Sequence, residues 1–312
     1  MHPYLKAVIY KSTGSFYTAI DDSGKVWSAR ARGKFKIDTE IKSTNPIAVG
    51  DIVTLQPEND VDHTAMITAI DPRRNYMVRT SPHNRHHKHI VASNIDEAIV
   101  VATIHNPRTS NGFLDRFLIT AEAYHIPATI IFNKADLITA DYVEEWEERK
   151  RIYETIGYKT FTVQATDPES IETLKAHLAH KTCLISGHSG VGKSTLINAL
   201  SPALDLRVQE VSDWSGKGQH TTTFAEMYRL ENEGKLIDTP GVKEFGIVDI
   251  DQYELAQYFP EMRAKLPECR FNNCLHINEP DCAVKAVLGE EVSVSRYESY
   301  LNILDSLPKT KY

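Results

Sequence analysis

The segment Gly187-His188-Ser189-Gly190-Val191-Gly192-Lys193-Ser194 has the spacing G-x-x-x-x-G-K-[ST]. That spacing suits one kind of chemistry. Glycines let backbone N–H groups wrap a polyphosphate, the lysine brings a cation to the β- and γ-phosphates, and the final hydroxyl can ligate Mg²⁺. The context fits, because residues 182–186 read as a strand before the loop and residues 194–200 as a helix after it. The phosphate-contacting set is expected to run from Gly187 through Thr195. Lys193 is also a candidate catalytic group, since it stands where charge develops during phosphoryl transfer.

The phosphate loop alone does not choose a base. Asn133-Lys134-Ala135-Asp136 does, following an apolar strand that ends at Phe132. A carboxylate at Asp136 can accept from guanine N1–H and from its 2-amino group. Adenine has no such donor pair and would leave the carboxylate unpaired, which is costly. Asn133 is expected to tie this loop to the phosphate loop, and the stem of Lys134 to lie along the base. Asp238-Thr239-Pro240-Gly241 supplies D-x-x-G after a strand at residues 235–237. Asp238 should hold Mg²⁺ through water, and the Gly241 N–H should meet the γ-phosphate. Thr221-Thr222-Thr223 lies where a magnesium-ligating switch threonine belongs, with Thr222 favoured and Thr221 close behind. The same run also reads as a strand, because threonine favours one. Ala165, within Gln164-Ala165-Thr166, would close over the base through its N–H, although Gln164 stands where a serine is usual.

In most GTPases these motifs run phosphate loop, switch threonine, D-x-x-G, N-K-x-D and then S-A-x. Here N-K-x-D comes first and D-x-x-G last, which is a circular permutation. The rearrangement is tolerable because domain termini are usually close together on the surface. It makes the D-x-x-G loop feed directly into the C-terminal segment, so a phosphate-dependent change in the loop can move that segment.

Cys269, Cys274, His276 and Cys282 form a second constellation, holding three of the four cysteines within a short stretch. Three thiolates and an imidazole complete a tetrahedral shell for Zn²⁺ with no open position, so one structural zinc ion is expected. The other reading is three unrelated core cysteines and a surface histidine. Cys183, in an expected core strand, is apolar filling.

The elements that must position these groups can be read from their texture. Residues 1–80 show short alternating segments at 7–10, 16–20, 25–31 and 51–55, separated by turn residues. This pattern predicts a small β-barrel, of which the OB-fold is one form; such a barrel can also serve only as a spacer. Residues 81–93 read as a linker, with His83, His86, His87 and His89 in a polar tract. A solvated loop or a phosphate-contacting loop fits that tract better than a metal site. From residue 94 to 248, near-continuous apolar runs at 99–103 and 128–132 and further strands at 160–163, 182–186 and 235–237 alternate with helical spacing at 114–124 and 170–180. Such runs suit strands buried on both faces of a parallel sheet, hence an α/β domain. Residues 249–312 read as helical and loop-rich.

The composition is that of a soluble globular protein, with 41% hydrophobic and 25% charged residues. No apolar run approaches a membrane span and no signal peptide is apparent, so a cytoplasmic protein with no membrane partner is expected. The net charge of −7 divides unevenly. Residues 1–88 carry 13 Lys and Arg against 9 Asp and Glu, and the rest carries 22 against 33. A basic N-terminal part on an acidic chain hints at a polyanionic partner such as nucleic acid.

Together these residues resemble the RsgA (YjeQ/YloQ) family of circularly permuted GTPases that depend on the small ribosomal subunit. The resemblance spans nearly the whole chain. It is carried by Gly50-Asp51, residues 91–96, Leu114-Asp115-Arg116-Phe117-Leu118, the nucleotide motifs, residues 218–223, the Cys269–Cys282 cluster and Arg296-Tyr297. It implies an α/β, circularly permuted P-loop GTPase domain, an N-terminal OB-fold that binds RNA and a C-terminal helical zinc-binding domain. It further implies Mg²⁺-dependent hydrolysis of GTP to GDP and phosphate, stimulated by the small (30S) subunit, late in that subunit's maturation. The partners implied are GTP, GDP, the small subunit and its rRNA, and the chain is expected to be a monomer. Val242 follows Gly241, where many GTPases place a water-orienting glutamine. His220 resembles the family's switch-loop histidine and is the candidate for that role, though most histidines have no catalytic task. The rival reading is a nucleotide-gated RNA-binding module with negligible hydrolysis. It shares every binding motif.

Overall fold

Side chains alternate inward and outward along β1 (Leu5–Ser12), β2 (Tyr17–Asp21), β3 (Val26–Ala31), β4 (Ile52–Asn59) and β5 (Thr64–Ile70). The inner faces close on Ile9, Trp27, Val53, Leu55 and Ile67. β1 pairs antiparallel with both β2 and β4, β2 with β3 and β4 with β5, while β3 runs parallel to β5. That closure is the five-stranded barrel of an OB-like fold. The computed structural model describes residues 4–31, 46–81, 84–206, 225–239 and 250–308.

The expected linker is mostly a strand. β6 (Tyr76–Ser81) and β7 (Asn84–Ser93) pair as an antiparallel hairpin, with Tyr76 opposite Ser93. The polar tract hid this, because main-chain pairing needs no apolar side chains; the far end of β7, at Val91 and Ala92, is buried. His83 lies outside the described residues. The hairpin docks on the barrel through Asp51, which has no solvent exposure. Asp51 accepts from Arg73 Nε and Nη2 at 2.7 Å each, from the Ser93 hydroxyl at 2.6 Å and from the Ala48 N–H at 2.8 Å. A buried carboxylate met by a guanidinium fork and two further donors is fully satisfied.

The α/β unit comes next: β8 (Glu97–Ala102), α1 (Asn111–Ala123), β9 (Ala128–Phe132), α2 (Val143–Thr155), β10 (Lys159–Thr162), α3 (Pro168–Leu178), β11 (Thr182–Ser186), α4 (Lys193–Leu200), β12 (Glu226–Arg229) and β13 (Lys235–Asp238). Its strands lie in the order β10-β9-β8-β11-β13-β12. All are parallel to their neighbours except β12, which runs antiparallel to β13. Every residue of β8 is buried, as expected for a strand between two helical layers. Ala98, Val100 and Ile130 pack with α1 and α2 on one face, whereas Ile99, Val101 and Ile131 pack with α3 and α4 on the other. β12 then pairs with β1 at Glu226 and Lys11, whose side chains form a 2.9 Å ion pair. Barrel and α/β sheet are therefore one continuous ladder.

The last unit contains α5 (Pro260–Arg263), α6 (Ala283–Ala286) and α7 (Val294–Ser306), packed around Phe259, Met262, Tyr300 and Ile303. Ile119 of α1 belongs to the same cluster, so this unit rests on the α/β unit. Among the described residues, no helix is long and apolar enough to cross a membrane.

Candidate nucleotide and metal sites

Four expected nucleotide segments leave the carboxyl ends of neighbouring parallel strands. Asn133–Asp136 follows β9, Gln164–Thr166 follows β10 by two residues, Gly187–Ser194 follows β11, and Asp238 closes β13. Ligands of open α/β sheets bind at this edge. The permuted chain order therefore still delivers its motifs to one place.

Asn133 joins three of those segments. It is 2% exposed. Its Nδ2 donates to the Val191 carbonyl at 2.8 Å, and its Oδ1 accepts from the Ala165 N–H at 3.2 Å. The first contact is the tie expected between the base-reading and phosphate loops. The second changes the expectation for Ala165, whose N–H is held by Asn133 in this structure. Lys134 has a left-handed backbone, with φ of 60°, and its Nζ donates to the Asn106 carbonyl at 2.6 Å. Burial lowers its pKa, opposed by the nearby Asp136 carboxylate. Asp136 is exposed, in a single helical turn at Ala135–Leu137.

Glycine is required at both ends of the phosphate loop. A Cβ on Gly187 would stand 2.6 Å from the Val101 carbonyl oxygen, and one on Gly192 would stand 2.4 Å from Asn133 Nδ2. Gly192, with φ of 90°, leads into α4, and no side chain caps the first turn of that helix. Its N–H groups are thus left for an anion, which the helix dipole also favours. Lys193 Nζ bends back to the Gly187 carbonyl at 3.1 Å, over the mouth of the loop. His188 packs its ring on Phe113 of α1 with centroids 3.7 Å apart. Ser194 and Thr195 open α4.

Asp238 has one buried carboxylate oxygen, Oδ1, with no hydrogen-bond partner among the described residues. Burial raises its pKa, and the Lys193 ammonium opposes that rise. A buried carboxylate that lacks donors suits a cation, so the residue fits its expected role toward Mg²⁺. His220, Thr221, Thr222 and Gly241 lie outside the described residues.

The expected zinc ligands also converge. The ligand atoms of Cys269, Cys274, His276 and Cys282 all lie within 4.8 Å of one another. His276 Nδ1 faces the sulfurs, 3.3 Å from Cys282 Sγ and 3.7 Å from Cys269 Sγ. Burial pushes the Cys274 thiol up to about 12. A divalent cation reverses that preference by holding thiolates directly. The donor set of three sulfurs and one nitrogen therefore fits a tetrahedral metal. His276 adopts a left-handed φ of 58°, and two hydroxyls hold its segment. Tyr297 donates to the His276 carbonyl at 2.5 Å and Tyr300 to that of Leu275 at 2.9 Å. Glu279 accepts from the N–H groups of Leu275 at 2.9 Å, Ile277 at 2.8 Å and Asn278 at 3.1 Å. Burial raises the Glu279 pKa, but these N–H groups together hold it below the usual value. Sequence reasoning missed Tyr300 and Glu279, and named Tyr297 only within the family resemblance. Glu279 lies between two ligands in the chain, and that position was its only signal. Cys183 is buried in β11, where burial raises its thiol pKa, in keeping with an inert filler.

The RsgA GTPase family model matches residues 70–248, and the RsgA N-terminal domain model matches residues 6–65. A "Small ribosomal subunit biogenesis GTPase RsgA" of Flavobacterium johnsoniae is 48% identical over 303 residues, covering 96% of this chain and 93% of that protein. The protein of that name from Bacteroides fragilis strain YCH46 is 42% identical, covering 99% of both chains. Among solved structures, YjeQ from Thermotoga maritima is similar with a TM-score of 0.78 and 31% identity, covering 97% of this chain and 98% of its own. YloQ, described as a circularly permuted GTPase, is similar with a TM-score of 0.73 and 30% identity, covering 99% of this chain and 98% of its own.

Proposed function

This chain belongs to the RsgA family of small ribosomal subunit biogenesis GTPases, and from that premise we propose how its residues bind and hydrolyse GTP. It is a GTP-hydrolysing enzyme of small-subunit biogenesis, and the binding-only reading is not favoured. The backbone from Gly187 to Thr195 cradles the phosphates, and Lys193 neutralises their charge. Asp136 selects guanine, and Lys134 lies along the base. The Ser194 hydroxyl, Asp238 and Thr222 or Thr221 would hold Mg²⁺, which when bound would supply charge neutralisation to the phosphates. Gly241 N–H meets the γ-phosphate, and His220 orients the attacking water.

The observation that carries this reading is Asn133, whose one amide holds Val191 and Ala165 at once. A buried amide satisfied at both ends fixes the spacing between base-reading and phosphate-binding loops. The ion held by Cys269, Cys274, His276 and Cys282 is zinc, in a structural role. Residues 1–80 form the RNA-binding domain, 94–248 the GTPase domain and 249–312 the zinc-binding domain, with 81–93 joining the first two. The protein acts as a cytoplasmic monomer that contacts rRNA of the small subunit. Phosphate release over many turnovers, with and without small subunits, tests this for the parent and for Asp136→Asn. The parent should use GTP with subunit stimulation. The variant should lose GTP and gain xanthosine triphosphate, whose 2-oxo group accepts from the new amide. Unchanged use of GTP by the variant overturns the assignment of Asp136.

A further inference from the structure

We propose that the loop at residues 103–109 is a further wall of the guanine site and that Arg149 is the positioning residue that sets it, acting through Lys134. The inference rests on the reading of Asn133–Asp136 as the guanine-binding segment. β8 lies between β9 and β11. The loop leaving its carboxyl end therefore emerges between the base-reading loop and the phosphate loop.

This loop is stitched shut at its base. Thr103 N–H donates to Thr109 Oγ1 at 3.0 Å, Thr109 N–H donates to the Thr103 carbonyl at 2.9 Å, and the Thr103 hydroxyl donates to the Pro107 carbonyl. Arg149 reaches it from α2, only 6% exposed, and donates from Nη1 to the Thr109 carbonyl at 2.7 Å. At the tip, the Asn106 carbonyl accepts from Lys134 Nζ at 2.6 Å, and the His105 ring stacks on Tyr142 at 4.6 Å.

Lysine is a point charge on a flexible stem, so its stem lies where its ammonium is anchored. Here the anchor is a main-chain carbonyl, and its place depends on how the loop is held. Burying a guanidinium contributes little to stability by itself, because desolvation offsets the attraction it gains. A geometric role accounts for Arg149 better. Its carboxylate partner Glu145, at 2.8 Å, also pairs with Arg108 at 3.0 Å. Removing Arg149 therefore does not leave Glu145 without a cation.

The test uses the full chain and fluorescent GDP and GTP analogues. Arg149→Met should weaken both nucleotides by a similar factor, on the order of 10-fold for a lost charge-assisted contact. KM should rise while kcat at saturating nucleotide stays put, as for an interaction made equally before and during the reaction. Arg149→Lys should recover part of the affinity. Lys134→Met should weaken binding too, and the double variant should lose little more, because both act through one contact. Thr109→Val, which opens the stitch without touching a charge, should move affinity in the same direction. Unchanged affinity in correctly folded Arg149→Met, or losses that simply add in the double variant, overturns the proposal. Failure of the guanine-site reading shows separately, as unchanged GTP use by Asp136→Asn.

Discussion

Arg296 Nη1 stands 2.6 Å from Asp115 Oδ1, joining α7 of the C-terminal unit to α1 of the GTPase unit. The same guanidinium meets Glu261 through Nε at 2.7 Å and Nη2 at 3.1 Å, and Tyr153 adds its hydroxyl to Asp115 Oδ1 at 2.9 Å. Arg296, Asp115 and Glu261 are all buried. Phe113, two residues before Asp115, packs on His188 of the phosphate loop. One helix thus touches the phosphate loop near its start and the C-terminal unit two residues later.

Breaking that junction should cost more than most single substitutions. Arg296→Met leaves two buried carboxylates without their cation, a loss of about 3–5 kcal/mol by analogy with broken buried ion pairs. Hydrogen exchange should rise first in residues 250–308, and the urea midpoint should fall. Replacing Asp115 and Glu261 with leucine in the same chain should recover much of the loss, because no buried charge then remains. An Arg296→Met protein as stable as its parent would show that the network contributes nothing.

Gly192→Ala should disrupt nucleotide binding without unfolding the protein. The added Cβ meets Asn133 Nδ2 at 2.4 Å, and alanine is strained at φ of 90°. Strain of about 1–3 kcal/mol, placed on the tie between the two loops, translates to roughly 5- to 150-fold weaker GTP and GDP. Equilibrium titration measures it. Parent-like affinity would mean that the Asn133–Val191 bond is not needed in the bound state.

Much of the fold and site is legible in the sequence, and for physical reasons. The phosphate loop, Asn133–Asp136 and the cysteine cluster have fixed spacing because their ligands do, so the residue types alone mark them. β8 and β9 are legible because strands buried on both faces must be apolar along most of their length. The hidden parts depend on long-range contact. α2 carries mostly charged residues, and its inward face rests on Arg149 and Tyr153, so its apolar signal is thin. β12 is four residues long, and its pairing with β1 joins positions 215 residues apart in sequence. The Arg296 network spans four helices, and its carboxylates look like surface residues until the helices pack.

Protein purified without chelator should carry about one equivalent of zinc, since one closed shell holds one ion. Cys274→Ser should lose it and destabilise residues 250–308, while GTP affinity stays near that of the parent. Chelation of the parent should reproduce the loss of stability, because metal binding is coupled to folding of such loops. Elemental analysis that finds no metal, or a Cys274→Ser protein of parent-like stability, contradicts the assignment.

The last prediction concerns the chemical step. Lys193 and Ser194 stand at the phosphate loop and should be needed for binding itself. His220 is proposed only to orient the attacking water, so its loss should act after binding. His220→Ala should therefore keep nucleotide affinity and association with the small subunit, and lower subunit-stimulated kcat by roughly 10- to 1000-fold. Val242, the residue after Gly241, cannot take over, because its side chain has no group to hold water. Single-turnover hydrolysis on saturating subunits separates this from slow product release. If His220→Ala is stimulated as strongly as the parent, the water must be positioned by backbone groups or by the subunit.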